Sequence, residues 1–192
     1  MKYIKKEQIL QWVLIGVGVI ALIVSLFFDT AINEKLSGLN YPILSAMSIV
    51  LSNLYLIILV LFIYTTFAMY IGKKREGILP LWASLIITIV LGVLLKLLVA
   101  RERPLDVNDF AFFTYAFPSL HAAICFCVVP ILDVEFPRLK WFWIGLGVLV
   151  GLSRIFLQVH YLSDVIAGIL IGYIIGLVVW YMNQKFFYKI KW

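Results

Sequence analysis

Residues Leu79–Leu98, LPLWASLIITIVLGVLLKLL, decide the fold. The run has the length that crosses a hydrocarbon core as a helix, about 20 residues. Its single charge, Lys96, stands near one end. The apolar residues are continuous and do not alternate, which disfavours a barrel strand. Comparable runs cover Ile9–Phe28, Leu54–Ile71, Ser119 to about Val134, Trp141 to about Ser153 and Tyr161 to about Asn183. The stretch Ile43–Ile71 is too long for one span. A split near Ser52-Asn53 gives a short interfacial or re-entrant helix before Leu54. The expected architecture is all-α: a polytopic membrane helical bundle of about six transmembrane helices plus a short interfacial helix. It forms one domain over residues 1–192.

Composition excludes a water-soluble fold. Of 192 residues, 64% are hydrophobic and 14% charged, against about a quarter charged in soluble domains. Mean hydropathy is +1.06. The net charge of +6 is explained by topology and gives no reason to invoke nucleic acid. The Lys2-Tyr3-Ile4-Lys5-Lys6 start resembles a signal peptide's basic region, but Ile9–Phe28 is of full spanning length with no small-x-small site after it, so a retained span is expected. Cys125 and Cys127 fall inside an apolar run and do not face each other on a helix. They are expected to be buried small hydrophobes. Pro130 is expected to kink the fourth span. Asp29 to Pro42 is expected to be a loop, with Gly38, Asn40 and Pro42 as breakers.

Six spans sort the basic residues. Lys2, Lys5, Lys6, Lys73, Lys74, Arg75, Arg138, Lys140, Lys185, Lys189 and Lys191 all fall on one side. The positive-inside rule makes that side cytoplasmic, with both termini there. Lys35, Arg101, Arg103 and Arg154 fall on the other side, with Lys96 at its boundary. Trp141, Trp143, Trp180 and Tyr181 are expected in the cytoplasmic interfacial belt. Phe110, Phe112, Phe113, Tyr115 and Phe117 are expected as anchors at the opposite interface.

Three clusters lie at that outer end: Lys96 to Pro104, Pro118-Ser119-Leu120-His121, and Ser153-Arg154 with His160 and Asp164. Both histidines of the chain are in them. Lys96, Arg103 and Arg154 supply cations for phosphate oxygens. Ser119 sits at a helix start, where backbone N–H groups and a hydroxyl face an anion. His160 can attack phosphorus as a neutral imidazole. Asp164, one helical turn on, can orient that ring or stabilise its charge. His121 is then free to protonate the leaving alkoxide. No carboxylate cluster suits a divalent ion, so no metal and no cofactor is expected. Asp106 and Asp109 read as exposed loop residues, and Arg101 and Glu102 as a solvated loop pair.

The pattern K-x6-R-P, then P-S-x-H, then S-R-x5-H-x3-D resembles the type 2 phosphatidic acid phosphatase superfamily. That superfamily includes lipid phosphate phosphatases and the phosphatases of phosphatidylglycerophosphate and undecaprenyl pyrophosphate. The resemblance spans Lys96 to Asp164. It implies His160 as nucleophile, Asp164 as its partner, His121 as general acid, and Lys96, Arg103, Ser119 and Arg154 as phosphate holders. Where the family has Gly, this chain has Leu120, whose backbone N–H still offers a donor to phosphate. A left-handed backbone at that position would strain Leu. The form P-S-L-H also looks like that of membrane lipid phosphotransferases such as inositol phosphorylceramide synthases. The acceptor, water or an alcohol, therefore stays open. A non-catalytic lipid-binding protein is the remaining alternative, and the His160-Asp164 pair speaks against it. The implied partners are a lipid phosphate or polyprenyl pyrophosphate and the surrounding membrane lipids.

Overall fold

The computed structural model describes residues 2–37, 41–105 and 115–190. No strand occurs among the described residues. The chain begins with α1 (Lys2–Leu26), α2 (Asp29–Ser37) and α3 (Pro42–Leu51). Next come α4 (Leu54–Ile58), a π-helical turn (Leu59–Tyr64) and α5 (Thr65–Ile71), which run on as the span Leu54–Ile71. A 3-10 turn leads into α6 (Ile78–Val99). Then follow α7 (Leu120–Cys127), α8 (Val129–Glu135), α9 (Lys140–Phe156) and α10 (Leu162–Ile190). Among the described residues, five stretches are long and apolar enough to cross a membrane. Helices suit that medium because their backbone groups are satisfied within the segment.

The expected fourth span is α7 and α8 in series, broken at Val128. Pro130 stands in the first turn of α8, where its missing N–H is tolerated. Ala122, Ala123, Cys127, Val128, Ile131 and Leu132 are all fully buried, so the pair is walled by other helices. Cys125 and Cys127 are buried free thiols, as expected. Trp143 and Trp180 are buried in the bundle, which corrects their placement in an interfacial belt. Trp141 is exposed.

One further expectation changes. The stretch after the first span is helical: α2 starts at Asp29, a carboxylate suited to the positive end of a helix dipole, and carries Lys35 in its last turn. Gly38 and Asn40 lie outside the described residues, as do Asp106, Asp109, Phe110, Phe112 and Phe113. The break at Ser52-Asn53 is present. Asn53 caps α4 there, its Oδ1 accepting from the Leu56 N–H at 3.2 Å.

The contact between α7 and α10 sets the position of everything at the outer end. Gly168, Gly172 and Gly176 recur at four-residue spacing along α10. A Cβ on each would come within 2.4, 2.1 and 2.1 Å of the carbonyl oxygens of Ser119, Ala123 and Cys127. Only glycine lets the two backbones approach this closely, as in small-xxx-small helix pairs in membranes. On α6, Gly92 receives the side chain of Leu120. Helix α1 touches the bundle through α10, where Gly18 lies under Leu170 and Gln11 accepts from the Tyr181 hydroxyl at 2.7 Å. Elsewhere on α1, Trp12, Val17 and Ile20 are exposed apolar surface, suited to lipid.

Candidate active site

At one end of the bundle, Lys74 reaches the Glu135 carbonyl and Asn183 donates to the Glu76 carbonyl. Lys73, Lys74, Arg75, Arg138 and Lys140 gather there. The motif residues gather at the opposite end. Helix α6 stops at Ala100, whose left-handed backbone (φ 48°, ψ 37°) closes an N–H to Lys96 carbonyl bond of 2.9 Å. Residues 101–105 and 115–117 lie at this end of the bundle. Ala116 N–H donates to the Arg101 carbonyl at 2.7 Å, and Leu105 N–H to the Gln158 carbonyl at 3.0 Å. Helix α9 ends just after Arg154, and Gln158 turns the chain with φ 57°, which brings His160 back over the end of α7.

His160 is 2% exposed and Asp164 is fully buried. His160 Nδ1 lies 3.7 Å from Asp164 Oδ2. That is beyond hydrogen-bond range, and Nδ1 has no hydrogen-bond partner among the described residues. Asp164 spends its hydrogen bonds elsewhere: Oδ2 accepts the Tyr161 N–H at 2.9 Å and Oδ1 accepts Arg101 Nη1 at 2.7 Å. The other side of the His160 ring contacts the backbone of Ala116. Burial pushes the basicity of His160 well below the ordinary histidine value, and the nearby charges of Arg154, Lys96 and Arg103 push the same way. The ring is therefore neutral, the form that can act as a nucleophile.

Lys96 is 2% exposed, with its ammonium donating to the Tyr115 carbonyl. Ser119 caps α7 with extended backbone (φ −71°, ψ 107°) but makes no side-chain cap bond. Its Oγ is buried with no hydrogen-bond partner among the described residues. A buried hydroxyl left unsatisfied is costly, and an anion at the α7 N-terminus would satisfy it. Leu120 is the first residue of α7 and keeps negative φ. Among the described residues only Lys73, Ala100 and Gln158 have positive φ outside glycine. Leu120 thus carries no backbone strain, and its side chain is seated on Gly92. His121 stands in the first turn of α7 and faces the backbone of Ser52, at the break between α3 and α4. Ser52 Oγ lies 2.8 Å from Ser153 Oγ.

The structure thus gathers Lys96, Arg103, Ser119, Leu120, His121, Arg154, His160 and Asp164 at one end. It corrects the reading of Arg101 as half of a solvated loop pair. Its guanidinium meets Asp29 and Asp164, each at 2.7 Å, and lies over the Tyr161 ring. Glu102 is exposed, as expected. Asp29, Ser52, Tyr161 and Ser163 were not singled out from the sequence. Asp29 had one usable signal: it is the acidic residue directly after the first span, on the side where Arg101 lies.

A family model described as the PAP2 superfamily matches residues 77–188. The chain is 34% identical over 117 residues to an undecaprenyl-diphosphatase of Sulfolobus acidocaldarius, covering 56% of each protein. It is 30% identical over 116 residues to a lipid A 1-phosphatase of Rhizobium johnstonii, covering 52% of this chain and 48% of that one. The chain spans about half the length of these curated relatives. Its fold matches the crystal structure of a transmembrane PAP2 type phosphatidylglycerolphosphate phosphatase from Bacillus subtilis. The TM-score is 0.67 at 21% identity, over 91% of this chain and 94% of that one. The apolar helices and this membrane-embedded neighbour agree on a multi-pass membrane protein. The matched residues hold all three motif clusters and leave out only Asp29 and Ser52 of the site's side chains described above, and the chain belongs to the PAP2 superfamily.

Proposed function

We propose that the protein hydrolyses a lipid phosphate or polyprenyl pyrophosphate through a phosphohistidine formed on His160. The observation that carries this is a buried neutral His160 among the charges of Lys96, Arg103 and Arg154, beside the unpartnered Ser119 hydroxyl. Fixed cations and donors at a dry site are what the developing charge of phosphoryl transfer requires. The names of the relatives, a lipid A 1-phosphatase and an undecaprenyl-diphosphatase, support the substrate class.

Phosphate oxygens occupy the space framed by Lys96, Arg103, Arg154, Ser119 Oγ and the N–H groups that open α7. With its one ring proton moved to Nδ1, facing Asp164, His160 gives up its contact with Ala116 and attacks phosphorus with the lone pair of the nitrogen turned away from Asp164. The bond from phosphorus to the leaving oxygen breaks, and His121 supplies that oxygen with a proton. The phosphorylated imidazole is cationic, and Asp164 stands one turn away to balance it. Water then attacks phosphorus, His121 takes the proton, and the N–P bond breaks to release inorganic phosphate. Leu120 packs on Gly92, so its departure from the family's glycine gives no reason to replace water by an alcohol.

Basic residues at the opposite end make that end cytoplasmic by the positive-inside rule, so the site faces the extracytoplasmic side. The test is phosphate release by purified protein from phosphatidic acid, phosphatidylglycerophosphate and undecaprenyl pyrophosphate, with and without an added alcohol. Free phosphate from at least one lipid supports the reading. A new ester in place of free phosphate would assign a phosphotransferase, and inertness toward all of them would overturn the reading.

A further inference from the structure

Arg101 stands outside the fixed positions K-x6-R-P, and Asp29 lies outside the residues that the family model matches. The structure joins them. Arg101 Nη2 donates to Asp29 Oδ2 and Arg101 Nη1 to Asp164 Oδ1, both at 2.7 Å. Nη1 also donates to Ser163 Oγ at 2.6 Å, and the guanidinium carbon lies 4.1 Å from the centre of the Tyr161 ring. Asp29 Oδ1 accepts the Ser163 N–H at 2.9 Å, and its Oδ2 accepts the Ser163 hydroxyl. The carboxylate of α2 thus satisfies a free N–H in the first turn of α10. Asp29 is 3% exposed and Asp164 is fully buried. Two carboxylates at that depth need a shared cation, and Arg101 is placed between them.

This network fixes the group that faces the nucleophile. Asp164 Oδ1 is held by Arg101 and Oδ2 by the Tyr161 N–H, so the carboxylate has one orientation. In that orientation Oδ2 points toward His160 Nδ1. Arginine suits the task because its fork reaches two carboxylates with separate nitrogens, which a lysine ammonium cannot reproduce.

We propose that Arg101, anchored by Asp29, is a positioning residue that holds Asp164 aimed at His160, and so brings the α1–α2 segment into the reaction. It acts through Asp164 and touches no reacting atom. The proposal rests on His160 being the nucleophile.

The experiment compares Arg101→Gln, Arg101→Lys, Asp29→Asn and the Arg101→Gln/Asp29→Asn pair in the full chain. Each is assayed on a lipid phosphate that the unaltered protein hydrolyses, alongside its melting temperature in detergent. For Arg101→Gln, kcat is expected to fall about 10–100-fold, the scale seen where a partner that orients a reacting histidine is lost. KM is expected to stay within about three-fold, because binding is not what is removed. Arg101→Lys recovers part of kcat, Asp29→Asn loses less than Arg101→Gln, and the pair is no worse than Arg101→Gln alone, as for residues in one network. If Arg101→Gln fails to fold, Asp29→Asn and Arg101→Lys carry the same comparison. An unchanged kcat with a lowered melting temperature would make the network a structural staple and overturn the proposal. A raised KM at constant kcat would make Arg101 a phosphate ligand and do the same. Absence of turnover in the unaltered protein is a different result: it strikes the phosphatase reading itself and removes the role given to Arg101 with it.

Discussion

The backbone N–H of Ser119 donates to the carbonyl oxygen of Asp164 over 3.0 Å. This bond ties the residue that caps α7 to the first turn of α10. Below it, the glycines of α10 hold the two helices in backbone contact. The N-terminus of α7 and the first turn of α10, with Asp164, are therefore held together as one unit.

The two histidines are expected to separate by leaving group. His160→Ala should abolish turnover of every substrate, because no covalent intermediate can form. His121→Ala should retain more activity on nitrophenyl phosphate or a pyrophosphate, whose leaving groups need less help from a proton donor. Acid quenching of running enzyme should trap an acid-labile label at His160. A label at His121 would reverse the roles.

Metal removal should leave the rate intact. Lys96, Arg103 and Arg154 supply the cationic charge, so activity should persist in excess EDTA. Vanadate should inhibit by mimicking five-coordinate phosphorus at His160. Activity lost on chelation and restored by Mg²⁺ would contradict this.

Acid should not protonate His160 in its ordinary range, near 6.5. Burial, and then Arg154, Lys96 and Arg103, disfavour its charged form, so protonation requires a lower pH than for a free imidazole. Histidine NMR of the ligand-free protein should show this ring neutral as pH falls through 6.5. A ring that charges at or above that value would contradict the electrostatic reading.

The glycine seam should be intolerant of even one methyl. A Cβ at Gly172 meets the Ala123 carbonyl oxygen at 2.1 Å, whereas one at Gly16 meets nothing within 4 Å. Gly172→Ala should destabilise by about 1–3 kcal/mol, the cost of overpacking, and lower activity with it. Gly16→Ala should leave the melting temperature in detergent unchanged. Equal effects at the two positions would refute the seam.

Sidedness has a direct check. A cysteine at Glu102 in a cysteine-free background should react with an impermeant maleimide from outside intact cells. One at Lys140 should react only after permeabilisation. The reverse pattern would place the site on the cytoplasmic face.

Much of this was legible in the residue order because the signals are local. Continuous apolar runs fix the spans, and Asn53 with the polar Ser52 marks the break before Leu54. The spacing of Lys96, Arg103, Ser119, His121, Arg154, His160 and Asp164 marks the site. The spacing of Gly168, Gly172 and Gly176 was equally available as a close-packing signal, though which helix it packs against was not. The helical start at Asp29 was obscured by the breakers that follow it. Trp143 and Trp180 near span ends suggested an interfacial belt, yet which face of a helix turns inward depends on its neighbours.

The sequence by itself determined that the chain is a membrane bundle and which residues can do phosphoryl chemistry, since hydropathy and motif spacing are properties of short segments. Only the tertiary structure decided what Arg101 and Asp29 contact. Arg101 meets carboxylates from α2 and α10, distant in sequence, and a half-buried guanidinium finds them only after the helices that carry them have packed.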